Sequence, residues 1–160
     1  MFAGRLYGIC LRYANNEDDA KDILQEGFIK IFEKLRQYSN TGSLEGWMRK
    51  IIVNTALEKI RRENRFMLVE DDAFIGHDQY KYEHILEELG EKDLLGMIQE
   101  LSPQYRMVFN LYAIEGYSHK EIAHKLNISE GTSKSNLSRA RDLLKNKIEQ
   151  TSQIKISKVI

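Results

Sequence analysis

The stretch SHKEIAHKLNISEGTSKSNLSRARDLLKNK, Ser118–Lys147, decides the fold. Ser118 and Glu121 have the spacing of a capping box, in which a hydroxyl and a carboxylate satisfy backbone N–H groups that the first helical turn leaves without partners. Ile122, Ala123 and Leu126 then fall on one face of a short helix. Asn127-Ile128-Ser129 reads as a tight turn, with Ile128 pointing inward and Ser129 capping a second helix. That helix is expected from Glu130 to about Ile148, with Leu137, Ala140, Leu143, Leu144 and Ile148 at helical spacing. Its opposite face carries Gly131, Ser133, Lys134, Ser135, Ser138, Arg139 and Arg141. Small residues let a helix settle deep in a major groove, and cations and hydroxyls reach base edges and phosphates. An amphipathic helix pair with a solvated basic face fits the same spacing. The short capped turn before a small, basic helix favours a DNA-binding helix-turn-helix.

Working outward, Ser102-Pro103 marks the start of the preceding helix, a capping hydroxyl followed by proline at the first helical position. Tyr105, Val108, Phe109, Leu111 and Tyr112 form its apolar side, and Gly116 closes it. Tyr82–Leu101 carries Ile85, Leu86, Leu89, Leu94, Leu95 and Ile98 at helical spacing, interrupted by Gly90 and Gly96. Before it, Phe66–Asp93 loses periodicity and gathers acids, and Glu70–Gln79 reads as a flexible linker. The formal charge is zero but segregated. Residues 1–69 hold 12 Lys/Arg against 9 Asp/Glu, residues 70–93 hold 2 against 9, and residues 94–160 hold 10 against 6. Two mildly basic blocks flank an acidic connector. The expected division is therefore residues 1–68, an acidic linker 69–93, a helix-turn-helix domain 94–150 and a frayed tail 151–160.

The N-terminal block reads as three helices. Phe2, Leu6, Ile9, Cys10 and Tyr13 make the stripe of the first. The second, about Glu17–Gln37, opens with acids where the helix dipole favours them and offers Ala20, Ile23, Leu24, Phe28, Ile31, Phe32 and Leu35 as its core face. Asp22, Gln25, Glu26, Ile29 and Lys30 lie elsewhere on its surface. An exposed Ile29 beside carboxylates suits a docking patch, and isolated surface apolars are also ordinary. Tyr38–Ser43 is a polar loop. The third helix, about Leu44–Asn64, turns Trp47, Met48, Ile51, Ile52, Thr55, Ala56 and Ile60 inward, with Trp47 as the simplest core anchor. It ends in Lys59, Arg61, Arg62 and Arg65, which suit either the helix dipole or a phosphate backbone. Asn54 sits mid-helix, where its propensity is poor and where solvent or a ligand could both hold it.

With one proline and apolar residues recurring every three or four positions, the expected fold class is all-α. A single cysteine, Cys10, excludes an internal disulfide and a cysteine metal cluster. No apolar run approaches membrane-spanning length and the N-terminus has no leader pattern, so a cytosolic protein without membrane insertion is expected. There is no phosphate loop, no nucleophile–base signature and no ligand spacing among His77, His84, His119 and His124, which read as surface residues. No catalytic residue, metal, cofactor or small-molecule substrate is expected.

Two helical blocks, the second ending in a helix-turn-helix, resemble the extracytoplasmic-function (ECF) sigma factors of bacterial RNA polymerase. EDDAKDILQEGFIKIF (Glu17–Phe32) is similar to that family's core-polymerase-binding helix. GSLEGWMRKIIVNTALEKIRR (Gly42–Arg62) resembles its segment that melts and reads the minus-ten element, and Leu101–Leu144 resembles its minus-thirty-five reader. The resemblance implies promoter recognition by a dissociable specificity subunit of core polymerase, with an anti-sigma partner left open. It also implies roles. Asp22, Gln25, Glu26 and Ile29 would face the polymerase clamp helices. The loop Ser39, Asn40, Thr41 and Gly42, with Asn54 behind it and Arg61 and Arg62 at the helix end, would engage the melted element. Lys134, Ser135, Ser138 and Arg139 would enter the upstream major groove, and Pro103–Glu115 would offer apolar surface to the polymerase flap. The recognition helix departs from many relatives in carrying Ser133 and Asn136 where those have an aliphatic and a basic residue. Two other classes fit the bare helical pattern: an autonomous helix-turn-helix regulator, and a helical adaptor that binds no DNA.

Overall fold

A computed structural model describes residues 2–63 and 91–157. The chain divides into two compact units, residues 1–68 and 69–160. Each is built only of helices among its described residues, as the all-α reading requires. The expected linker and the start of the Tyr82–Leu101 helix lie largely outside the described residues, as do Arg65, His77 and His84.

Unit 1 holds α1 (Ala3–Tyr13), α2 (Glu17–Lys34, ending in a short 3-10 turn, Leu35–Gln37) and α3 (Leu44–Glu63). α2 starts where Asn16 accepts a hydrogen bond from the Asp19 N–H at 2.8 Å, with Glu17, Asp18 and Asp19 in the first turn. Gly46 N–H donates to Ser43 Oγ at 3.0 Å in the first turn of α3. The three helices pack against one another, so α3 is covered by both α1 and α2. Met48, Ile52, Val53, Thr55, Ala56, Leu57 and Ile60 are all buried, Ile51 is half-buried, and the most exposed side carries Lys50, Asn54, Glu58, Arg61 and Arg62 with Trp47 at its edge. Val53 and Leu57 join the expected core because a helix covered on two sides has more than one apolar face. Leu6, Ile9, Cys10 and Tyr13 of α1 complete that core. Burial pushes the Cys10 thiol up to about 12, which makes it inert packing material.

Several expectations fail in this unit. Phe2, Phe32 and Leu35 are not core; they are 39%, 70% and 46% exposed. The buried line of α2 runs through Ala20, Ile23, Gly27 and Ile31, one residue round from the line 24, 28, 32. Gly27 explains the offset. A Cβ there would lie 2.3 Å from Ile52 Cδ1, so the bare glycine brings α2 closest to α3 along its own line. Trp47 does not anchor the core either. It is half-buried at the edge, its ring tilted against Tyr38 at 5.5 Å.

Unit 2 holds α4 (Glu91–Gln99), α5 (Pro103–Phe109, continuing as a π-helical turn Asn110–Ile114), α6 (His119–Leu126) and α7 (Glu130–Ser157). Ser118 forms the expected capping box with Glu121, accepting from the Glu121 N–H while the Glu121 carboxylate accepts from the Ser118 N–H. Asn127 takes the left-handed conformation (φ 55°, ψ 49°) that ends α6, and Ser129 Oγ accepts from the Thr132 N–H at 2.9 Å to open α7. The Ser102 hydroxyl makes no such cap. Gly116, at φ 75°, turns the chain after the π turn and lets Tyr117 N–H reach the Leu111 carbonyl at 2.9 Å. Ile98, Leu101, Val108, Leu111, Ile122, Leu137, Ala140, Leu144 and Ile148 form the core, each large aliphatic contributing about 1.5–3 kcal/mol over an exposed position. The expected core residue Leu143 is 41% exposed. α7 also runs to Ser157, through most of the stretch read as a frayed tail.

Candidate nucleic-acid and partner interfaces

On α2, the sequence singles out Asp22, Gln25, Glu26 and Ile29, and the structure brings them together. They line one open depression of about 370 Å³, whose far wall is Lys59 and Arg62 of α3. Ion pairs cross it. Lys59 Nζ lies 3.3 Å from Asp19 and 3.1 Å from Asp22, Arg62 lies 2.9 Å from Glu26, and Lys30 bridges Glu26 at 3.0 Å and Glu58 at 2.7 Å. Partial burial works against both charges, yet hydrogen bonds from Lys30 and Arg62 hold the Glu26 carboxyl below the usual carboxylate range. Likewise burial would depress the Lys59 ammonium, and its bonds to Asp22 and Asp19 raise it above the ordinary lysine value. Beside this paired seam, Ile29 is 55% exposed and continues with Phe32 and Leu35 into an apolar ridge one helical face wide. Sequence reasoning put the last two in the core. The signal for them is the glycine at position 27, which marks where the helix is truly closest to its neighbour.

The loop Ser39–Gly42 is exposed and locally ordered. Asn40 (φ 57°) and Gly42 (φ 148°) take left-handed backbone, Ser39 and Thr41 hydroxyls meet at 2.9 Å, and Tyr38 Oη donates to the Gly42 carbonyl at 2.5 Å. Tyr38 rests on Trp47, and Asn54 and Arg61 follow Trp47 at successive seven-residue intervals, two turns each, on the exposed strip of α3. Loop, Asn54 and Arg61 therefore share one side. Arg62 is a further 100° round the helix and is already hydrogen-bonded to Glu26.

On α7, Lys134 is exposed, and Ser135, Ser138 and Arg139 are half-buried. Ser135 Oγ donates to the Thr132 carbonyl at 3.1 Å. Ser133, read from the sequence as part of the same open face, is fully buried, and its Oγ meets His119 Nδ1 at 2.9 Å. His119 is likewise no plain surface residue, for it also stacks on Tyr112 with ring centroids 4.6 Å apart. Burial first, and then the cations Lys134 and Arg141, lower its pKa below the ordinary 6.5, with Glu130 opposing. On Pro103–Glu115, Val108, Phe109 and Leu111 are spent on the unit's own core, which leaves Tyr105, Tyr112 and Ile114 half-exposed as the surface for any flap contact.

Both units match known families: residues 1–66 match the model for sigma-70 region 2, and residues 91–144 match that for sigma-70 region 4. The ECF RNA polymerase sigma factor SigE of Mycolicibacterium smegmatis is 34% identical over 148 residues, covering 89% of this chain and 57% of its own length. The ECF RNA polymerase sigma factor SigM of Bacillus subtilis is 27% identical, covering 91% and 89%. Among solved structures, the Bartonella quintana sigma factor RpoE, in a co-crystal with the anti-sigma factor NepR, shares the fold with a TM-score of 0.56 at 23% identity, over 91% of this chain and 90% of that one. A helical region 2 followed by a helix-turn-helix region 4 defines an RNA polymerase sigma factor of the sigma-70 type. Within that class, the chain belongs to the ECF family.

Proposed function

We propose that this chain directs bacterial core RNA polymerase to promoters, acting in the cytoplasm as a non-catalytic specificity subunit. The observation that carries the reading is the pairing of two different surfaces in one chain. Unit 1 presents an ordered polar loop beside Asn54 and Arg61, and unit 2 presents a capped helix-turn-helix with Lys134 and Arg139 on its second helix. Opening a duplex needs hydrogen-bonding groups for an unstacked base, and the loop with Asn54 supplies them. Reading an intact upstream element needs only a helix in the major groove, which is the part given to Lys134, Ser135, Ser138 and Arg139. Asp22, Gln25, Glu26 and Ile29, extended by Phe32 and Leu35, form the polymerase-facing side of α2. An anti-sigma factor is a further partner that fits this reading, since the Bartonella quintana RpoE is crystallised with one, NepR.

Run-off transcription with purified core polymerase on a promoter library tests the reading. Initiation at a defined sequence set, dependent on this chain, is expected. Tight binding of the chain alone to duplex operators, with no effect on core polymerase, would instead identify an autonomous regulator.

A further inference from the structure

α7 is held to the rest of its unit by side chains that its apolar core does not explain: Lys147 pairs with Glu100, and two further links lie closer to the helix start. Near its start, Ser133 Oγ lies 2.9 Å from His119 Nδ1. Eight residues later, the Arg141 guanidinium sits over the Tyr112 ring at 5.6 Å. Between these points, Tyr112 and His119 stack on each other at 4.6 Å with their planes 24° apart. The four side chains close a circuit that leaves α7, crosses the π turn after α5 and the first turn of α6, and returns to α7. The two attachments are about 12 Å apart along the axis at 1.5 Å per residue.

We propose that His119 is a positioning residue for upstream-element recognition, setting through Ser133 the rotation at which α7 presents Lys134, Ser135, Ser138 and Arg139. The proposal rests on the reading of α7 as the groove helix. The burial of Leu137, Ala140 and Leu144 carries little directional information of its own, whereas a hydrogen bond is directional. Turning α7 by about 20° would carry a side-chain tip at the ~5–6 Å outer radius through about 2 Å, enough to break a base-edge hydrogen bond. The same turn would pull Ser133 Oγ out of reach of Nδ1. The groups facing the imidazole from α7 are Lys134, Arg141 and Glu130, and Tyr112 covers it from the π turn. Partial burial, and then the two cations, favour the neutral ring, whose Nδ1 accepts from or donates to the Ser133 hydroxyl according to its tautomer.

The test measures discrimination by the assembled holoenzyme between a promoter with its upstream element intact and one with that element scrambled, the downstream element being constant. His119→Ala and Ser133→Ala should each lower discrimination about tenfold, comparable to one lost base contact, while binding to the scrambled promoter holds. The double variant should be no worse than either single, because both remove one link. His119→Asn places an amide nitrogen where Nδ1 stands and should restore most of the discrimination; His119→Gln, whose amide falls at the Nε2 position, should not. A paired His119→Leu, Ser133→Val variant keeps the packing and removes the polar link, and it should fold yet discriminate poorly. Parent-like discrimination by that pair, or by folded His119→Ala, overturns the positioning role. Absence of upstream discrimination in the parent protein would bring down the groove-helix reading itself, a distinct result.

Discussion

The two units solve the same problem, presenting a binding face on three or four helices, in opposite ways. Unit 1 leaves apolar surface uncovered: Ile29, Phe32 and Leu35 stand out on α2, while Asp19, Asp22, Glu26 and Lys30 are paired with Lys59, Arg62 and Glu58 across the α2–α3 seam. Among the described residues, unit 2 leaves one large aliphatic, Leu143, well exposed, and buries Arg106, Asn110 and Ser133 within its core while Lys134 stays outside. The difference teaches what each face is for. An apolar ridge framed by satisfied ion pairs suits a protein partner, where desolvated apolar contact supplies the affinity. A helix with exposed Lys134 and a hydrogen bond between Ser133 and its neighbour His119 suits a polyanion whose bases must be met in register.

The comparison can be broken or sharpened by substitution. The largest effect is expected at Gly27. Replacing it with leucine forces α2 away from Ile52, overpacking that should cost about 3 kcal/mol. Trp47 is the only tryptophan and lies in unit 1, so its fluorescence follows that unit alone during urea denaturation of the full chain. Gly27→Ala should cost less, since its clash is with the far end of one isoleucine and helix propensity returns about 1 kcal/mol. Next, Phe32→Ser with Leu35→Ser should leave the urea midpoint within about 0.5 kcal/mol of the parent while weakening core-polymerase binding by roughly 2 kcal/mol, or about thirtyfold. A large loss of stability would return those two residues to the core.

Smaller effects separate the arginines at the end of α3. Arg61→Ala should weaken binding to pre-melted promoter DNA and reduce the salt slope by about one. Arg62→Ala should do less there, its guanidinium being engaged by Glu26. The smallest effect concerns acidity. With the folded pKa of His119 lowered, the unfolded chain binds its proton first as pH falls through 6.5. Stability of unit 2 is therefore full above pH 6.5 and declines as pH falls toward the depressed folded value. Thermal melts of His119→Asn should show a flatter profile over that window than the parent.

The helix-turn-helix was legible in the sequence because its determinants are local. The capping box at Ser118, the tight turn Asn127-Ile128-Ser129 and the cap at Ser129 each act within four residues, so spacing suffices to find them. Phe32, Leu35 and Trp47 were misread because periodicity finds a stripe of apolar residues but not which edge of it a neighbour covers; that depends on Gly27 meeting Ile52, 25 positions away. Ser133 escaped for a related reason. A serine between Thr132 and Lys134 looks like part of a polar face, and only the arrival of His119 makes its burial affordable. The grouping of Asp22, Gln25, Glu26 and Ile29 into one depression followed from helical spacing, whereas its opposite wall, Lys59 and Arg62, needed the fold.

The ion-paired seam of unit 1 has a kinetic consequence. Charges neutralised by neighbours at 2.7–3.3 Å cast little field past the first hydration layers, so the seam adds little long-range attraction of its own, whatever the segregated charge elsewhere in the chain does. Docking of unit 1 alone through this seam should then proceed near the unsteered ~10⁵–10⁶ M⁻¹ s⁻¹. Raising salt from low to physiological levels should alter that constant by less than about threefold, far short of the steep decline of steered pairs. Competing subunits for one polymerase pool would then be ranked by how long each stays bound and by how many copies the cell holds, not by how fast each arrives.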